Sequence, residues 1–321
     1  MPPVSNKKEA AELTAETDVK KDDEKKKKDA DASKTKNKTK KKGANGDLIK
    51  DPDAMSEEDK ELKERLDTCV STVLNTSNEP AVTVPLRMKA LDMMVTELRS
   101  ATSSMTSVPK PLKFLRPHFE EIKKLHALIP PNVSENELLL LRARLADVLS
   151  VLSMTMGKHE ERESLKFKLS GMADYKTLQA RGDADAAVMG AENLGSWGHE
   201  FVRSLAGEIG QEYNARVLDG ADPEDDAQFE DILGMVEVIV PFHVKHNAEA
   251  EAVDLLIEVQ RLNKLIDLDA IDENNYGRMC LYLIKTADFM SDPDDLAVRR
   301  FNAFFVLHYF CVRVNLRSWL I

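Results

Sequence analysis

The sequence has few of the residues that build disulfide frameworks, sheets or tight turns. Its cysteines number three, Cys69, Cys280 and Cys311, far apart and without a CxxC pair. That fits thiols buried in a reducing compartment rather than a disulfide framework. Glycine and proline number 13 each and aromatics make up only 6%, so turn-formers and strand-formers are both sparse. No segment alternates apolar and polar residues with period two between turn signals. Long apolar runs are missing too. The best, Phe301 to Val312, is 12 residues long and contains Asn302 and His308, well short of the ~20 a membrane span requires. Met1-Pro2-Pro3 is followed by charge, so no secretory signal is expected and the chain reads as soluble.

What is present is charge and helix-forming aliphatics. Charged residues make up 31% and apolar residues 42%, with a net charge of -11. The charge is uneven. Residues 1–50 carry 15 Lys, no Arg and 10 acids, whereas 51–321 carry 30 basic and 46 acidic residues. An acidic body argues against nucleic acid as the main partner. Between Lys20 and Lys42 stand 12 lysines and no apolar residue larger than Ala, and nothing there offsets the entropy of ordering the backbone. Residues 1–55 are therefore expected to be a disordered Lys-rich tail. Binding of nucleic acid or another polyanion through that tail is the alternative function to weigh.

From Ser56 onward the pattern is helix after helix. Ser56 before Glu57, Glu58 and Asp59 is an N-cap with acids in the first turn, followed by Leu62, Leu66, Cys69, Val70 and Val73. Asn75 to Pro85 is read as a break, with Leu91, Met94, Val95 and Leu98 on the next helix. Phe119, Ile122, Leu125 and Ile129 follow Pro117, and Pro130-Pro131 ends that stripe. Ser134 and Glu137 suggest a capping box before Leu138, Leu141, Leu145, Val148 and Leu152. A short helix is expected over Glu160 to Leu169, and an insertion or a loose helix over Ser170 to Asn193. Trp197, Phe201, Leu205, Ile209 and Tyr213 run at four-residue spacing. Asp222-Pro223, Asn247, Asp272 and Asp292-Pro293 each read as helix starts. The expected fold is all-α, an irregular, solenoid-like array of stacked helical hairpins over 56–300.

No constellation points to catalysis, a metal or a cofactor. His159-Glu160-Glu161-Arg162-Glu163 has Glu where a zincin needs its second His. His243, His246 and Glu249 could share a helix face, and a metal-dependent hydrolase built on them is a further alternative; two solvent-facing histidines at a helix junction is the plainer reading. Phosphate loops, GxGxxG and GxSxG are missing, and the cysteines lie on or beside apolar stripes. Acid pairs such as Asp225-Asp226 and Asp294-Asp295 fit helix dipoles. One segment stands out as a partner-binding edge. Ser107 to Pro117 is basic and apolar at once, and its paired prolines favour a stiff extended backbone. Its candidate contact residues are Pro109, Lys110, Pro111, Lys113, Phe114 and Arg116. Leu194 to Glu200 surrounds Trp197 with small residues, which suits close packing on a core anchor.

Several blocks carry a resemblance: SSMTSVPKPLKFLRPHFEEIKKL (103–125), VLSMTM (151–156), ERESLKFKL (161–169), LGSWGHEFVRSLAGEIGQEY (194–213), IVPFHVKHNAEAEAVDLLIEV (239–259) and IDENNYGRMCLYL (271–283). In this order they resemble the large non-ATPase scaffold subunits of the proteasome regulatory-particle base, the non-ATPase regulatory subunit 2 family, in its N-terminal portion. The resemblance implies a non-catalytic, cofactor-free scaffold in cytoplasm and nucleus that regulates ubiquitin-dependent degradation through protein contacts. It implies regulatory-particle ATPases and other base subunits as partners, and no membrane. Ubiquitin and shuttle-factor binding is implied only for a longer product carrying the family's Gly- and Ala-rich repeat ring. Residues 301–321, bulky and aromatic where a further helical run should continue, are expected to be an atypical apolar segment marking a truncation.

Overall fold

Ser56 opens the first helix as its hydroxyl predicts. Its Oγ accepts the Asp59 amide at 3.2 Å, while three acids sit at the positive end of the helix dipole. The computed structural model describes residues 55–75, 80–102, 108–183, 191–272 and 274–287. Residues 1–54 of the Lys-rich tail, the Asp292-Pro293 helix start, and the apolar 301–321 with Cys311 lie outside the described residues. The helices are α1 (Glu57–Leu74), α2 (Pro80–Thr102), α3 (Lys110–Leu115), α4 (Phe119–Leu128), α5 (Asn136–Met156), α6 (Glu163–Ala180), α7 (His199–Leu218), α8 (Glu230–Lys245), α9 (Glu249–Glu258) and α10 (Tyr276–Ala287). Among the described residues there is no strand, and the fold is the expected all-α array.

Neighbours in sequence pack as hairpins. α1 and α2 run antiparallel, since Arg87 Nε donates to the Val73 carbonyl at 2.8 Å and Arg65 pairs with Glu97 at 3.1 Å. α5 and α6 form the most extensive interface, and α8 packs on α9. α7 touches α2, α5, α6, α8 and α9, so it holds the array together. The residues that do this are Phe201, Leu205, Ile209 and Tyr213, all buried and each worth roughly 1.5–3 kcal/mol on leaving water. Trp197 is buried as well. It belongs to the 3-10 turn Ala191–Trp197, and Gly198, at φ 88°, separates it from α7. The four-residue spacing therefore runs across a kink rather than along one helix.

Several helix ends depart from expectation for identifiable reasons. α2 begins at Pro80 and carries Pro85 inside it, so the break is shorter than Asn75 to Pro85. The Ser134 capping box does not form. The N-cap of α5 is Glu135, without a side-chain cap, and Arg181 Nη1 reaches the carbonyls of Val133 and Ser134 and the Asn136 side chain instead. α6 runs unbroken through Ala180, which overturns the short helix ending at Leu169 and, over 170–180, the insertion; of the two readings of that stretch the helical one holds there, as a continuation of α6. Its apolar pattern is faint because the facing positions are Lys168, Gly171 and Asp174, all buried. A Cβ on Gly171 would stand 3.3 Å from the Ala146 methyl, so the pair meets at small residues.

Asp222-Pro223 opens a turn, and regular helix starts only at Glu230, after Asp225 caps a 3-10 turn through the Ala227 amide at 3.1 Å. Asn247 is not an N-cap. At φ 59° it ends α8, with the Ala248 amide on the His243 carbonyl at 2.9 Å and its own amide on Val244 at 3.3 Å. That is a Schellman ending with asparagine in the left-handed position. Gln260, at φ 53°, ends α9 the same way, through the Arg261 amide on Leu256 at 2.8 Å. Asp272 does cap: its Oδ1 accepts the Asn274 and Asn275 amides at 2.8 and 3.2 Å, and those backbone bonds lower its pKa.

Candidate interaction surface

The proline-rich segment is helical rather than extended. Pro109 is the extended N-cap (φ -57°, ψ 146°), and Pro111 lies in the first turn of α3, where a missing amide hydrogen costs nothing. Pro111, Leu112 and Leu115 are buried, Pro109 and Phe114 half-buried, and Lys110, Lys113 and Arg116 exposed. The segment is thus a helical connector seated on its own core, presenting a cationic strip. Lys110 Nζ also pairs with Asp59 of α1 at 2.7 Å.

The histidines divide. His243 is only 1% exposed, which overturns the reading of two solvent-facing histidines, and neither of its ring nitrogens has a hydrogen-bond partner among the described residues. Burial pushes its pKa down to about 4, against the nearby Glu251 carboxylate, which raises it. His246 is exposed and its Nδ1 lies 2.7 Å from the Phe242 carbonyl. Phe242, His199 and His246 form a three-ring cluster, with Phe242 5.0 and 4.2 Å from the two imidazoles and the imidazoles 4.4 Å from each other. Glu249 is committed to Arg278. Among the described residues no group of three or more His, Cys, Asp or Glu is placed to hold a metal ion. The small residues flanking Trp197 act as expected: a Cβ on Gly195 would stand 2.6 Å from the Phe242 ring. The Arg99 guanidinium covers the indole at 4.6 Å.

Buried and half-buried charged groups hold the helices together. Lys168 Nζ meets Asp147 Oδ1 at 2.8 Å, and the Tyr175 hydroxyl donates to Asp147 Oδ2 at 2.7 Å. Arg142 pairs with Asp174. Lys123 reaches Glu163 at 2.6 Å and Arg162 reaches Glu212 at 2.8 Å. Arg216 grips Asp231 with two bonds of 2.7 and 2.8 Å. Cys69 is buried and its thiol is pushed up by burial, which suits packing rather than nucleophilic chemistry.

An open groove of about 580 Å³ lies between α1 and α2, with Leu86, Lys89, Ala90 and Met93 on the α2 side. A smaller one, about 310 Å³, lies beside α8 around Val240 and Pro241. The α2 residues were missed in the sequence because the inward stripe Leu91, Met94, Val95 and Leu98 dominates. Leu86 and Met93, seven apart and off that stripe, were the available signal. Among the described residues no helix is long and apolar enough to cross a membrane.

Comparison with known proteins gives these surfaces a family. Residues 66–311 match the family described as RPN1 N-terminal domain, a match that runs into the apolar segment beginning at Phe301. The chain is 43% identical over 242 residues to the 26S proteasome non-ATPase regulatory subunit 2 homolog A of Arabidopsis thaliana, covering 75% of this chain and 23% of that protein. It is 41% identical over 246 residues to 26S proteasome non-ATPase regulatory subunit 2 of Dictyostelium discoideum, covering 77% and 23%. Against the 26S proteasome regulatory subunit rpn1 of Schizosaccharomyces pombe it is 35% identical over 246 residues, with the same shares. The chain therefore spans about a quarter of the length of these curated relatives. With its helical array matched from Leu66 onward, this chain belongs to the RPN1 N-terminal domain family.

Proposed function

We propose that the chain is a non-catalytic scaffold in the base of the proteasome regulatory particle, acting in ubiquitin-dependent degradation through protein contacts in cytoplasm and nucleus. The observation that carries this is the family match over 66–311. The ion pairs across α4–α6, α6–α7 and α7–α8 support it, because titratable side chains there are committed to rigidity. The partners are the regulatory-particle ATPases and other base subunits. Ubiquitin and shuttle-factor binding belongs to a longer product with the repeat ring. Residues 56–300 act as the scaffold's N-terminal region, 1–55 as a Lys-rich tail and 301–321 as an atypical apolar segment. The strip of Lys110, Lys113 and Arg116, with Pro109, Pro111 and Phe114 beneath and beside it, is one contact surface.

The test is affinity purification of the tagged chain at moderate salt. Recovery of the base ATPases is the expected result, and Lys110→Glu with Lys113→Glu and Arg116→Glu is expected to weaken it. Repeated purification without any proteasome component refutes the reading. Binding to anionic polymers that vanishes on deleting 1–50, in place of ATPase recovery, favours the polyanion alternative.

A further inference from the structure

We draw no further inference here: the strongest candidate, the open groove between α1 and α2 lined by Leu86, Lys89 and Met93, is an unpartnered face, and nothing in the structure shows what covers it.

Discussion

His243 makes the stability of this fold sensitive to mild acid. Its ring is buried at the end of α8, with no hydrogen-bond partner for either nitrogen among the described residues. Facing it are Glu251 on α9, His199 and Arg203 on α7, and His246 beside it. Arg203 is itself tied to Glu251 at 3.2 Å, so that carboxylate is shared with a permanent cation. Burial lowers the His243 pKa from 6.5 to about 4. The unfolded chain therefore takes up a proton near pH 6.5 that the folded chain refuses until about pH 4. The neutral state's advantage is complete above pH 6.5 and is lost progressively as pH falls toward 4. At pH 5 the loss comes to about 2 kcal/mol, since each pH step below 6.5 removes about 1.4 kcal/mol. His126, packed edge-on against Phe167 at 5.5 Å, is lowered to about 4 by burial and by Arg142 and adds a similar amount. Urea unfolding followed by circular dichroism at pH 7 and pH 5 measures the effect. His243→Leu is expected to flatten the pH dependence by about 2 kcal/mol, and His126→Leu with it by about 4 kcal/mol. Carboxylate titration is common to all the variants and cancels in the comparison. Parallel pH curves for wild type and His243→Leu refute the reasoning.

Three further outcomes follow from backbone and packing. Gly195→Ala drives a methyl into the Phe242 ring at 2.6 Å and is expected to cost about 1–3 kcal/mol, read as a lowered urea midpoint. Gln260→Gly removes the left-handed penalty at φ 53° and is expected to stabilise by about 1 kcal/mol, read as a raised thermal midpoint. Trp197→Ala empties a buried site under Arg99 and is expected to cost about 3–5 kcal/mol in urea unfolding.

The sequence spoke most clearly where structure is decided locally. The Ser56 cap, the Asp272 cap and the stripes of α4 and α5 depend on neighbours within one or two turns, and those readings hold. It was silent where distant groups decide. Asn247 looks like an N-cap by residue type, yet the helix it serves is the one before it. α6 hides its inward face because that face is Lys168, Gly171 and Asp174. A lysine there reads as solvent-facing until Asp147, 21 residues earlier, is placed beside it. His243 misleads in the opposite way, being polar and buried with no hydrogen-bond partner among the described residues. The candidate contact segment was legible as cationic and apolar, but not as helical. Pro109 and Pro111 favour extended backbone when only their spacing is considered, yet the first turn of a helix is where proline is tolerated.

The buried Asp147, Lys168 and Tyr175 cluster shows what such pairs do in an array of this kind. Apolar ridges recur every turn, so two helices packed through them alone can slide or rotate to a neighbouring register at little cost. A lysine 1% exposed and an aspartate 8% exposed, 2.8 Å apart, are satisfied in a single register. The contribution to net stability is small, because desolvation cancels most of the attraction. Breaking the pair on one side is another matter. Lys168→Met leaves Asp147 buried without its ammonium partner, keeping the Tyr175 hydroxyl bond and the nearby charge of Arg99, and is expected to cost about 3 kcal/mol. Replacing the cluster together, Asp147→Leu with Lys168→Met and Tyr175→Phe, is expected to stay within about 2 kcal/mol of wild type in urea unfolding. The same triple variant is expected to lose hydrogen-exchange protection selectively along α5 and α6, as alternative registers become populated. A triple variant as unstable as the single one, or one with unchanged exchange, would show that the cluster supplies stability rather than alignment.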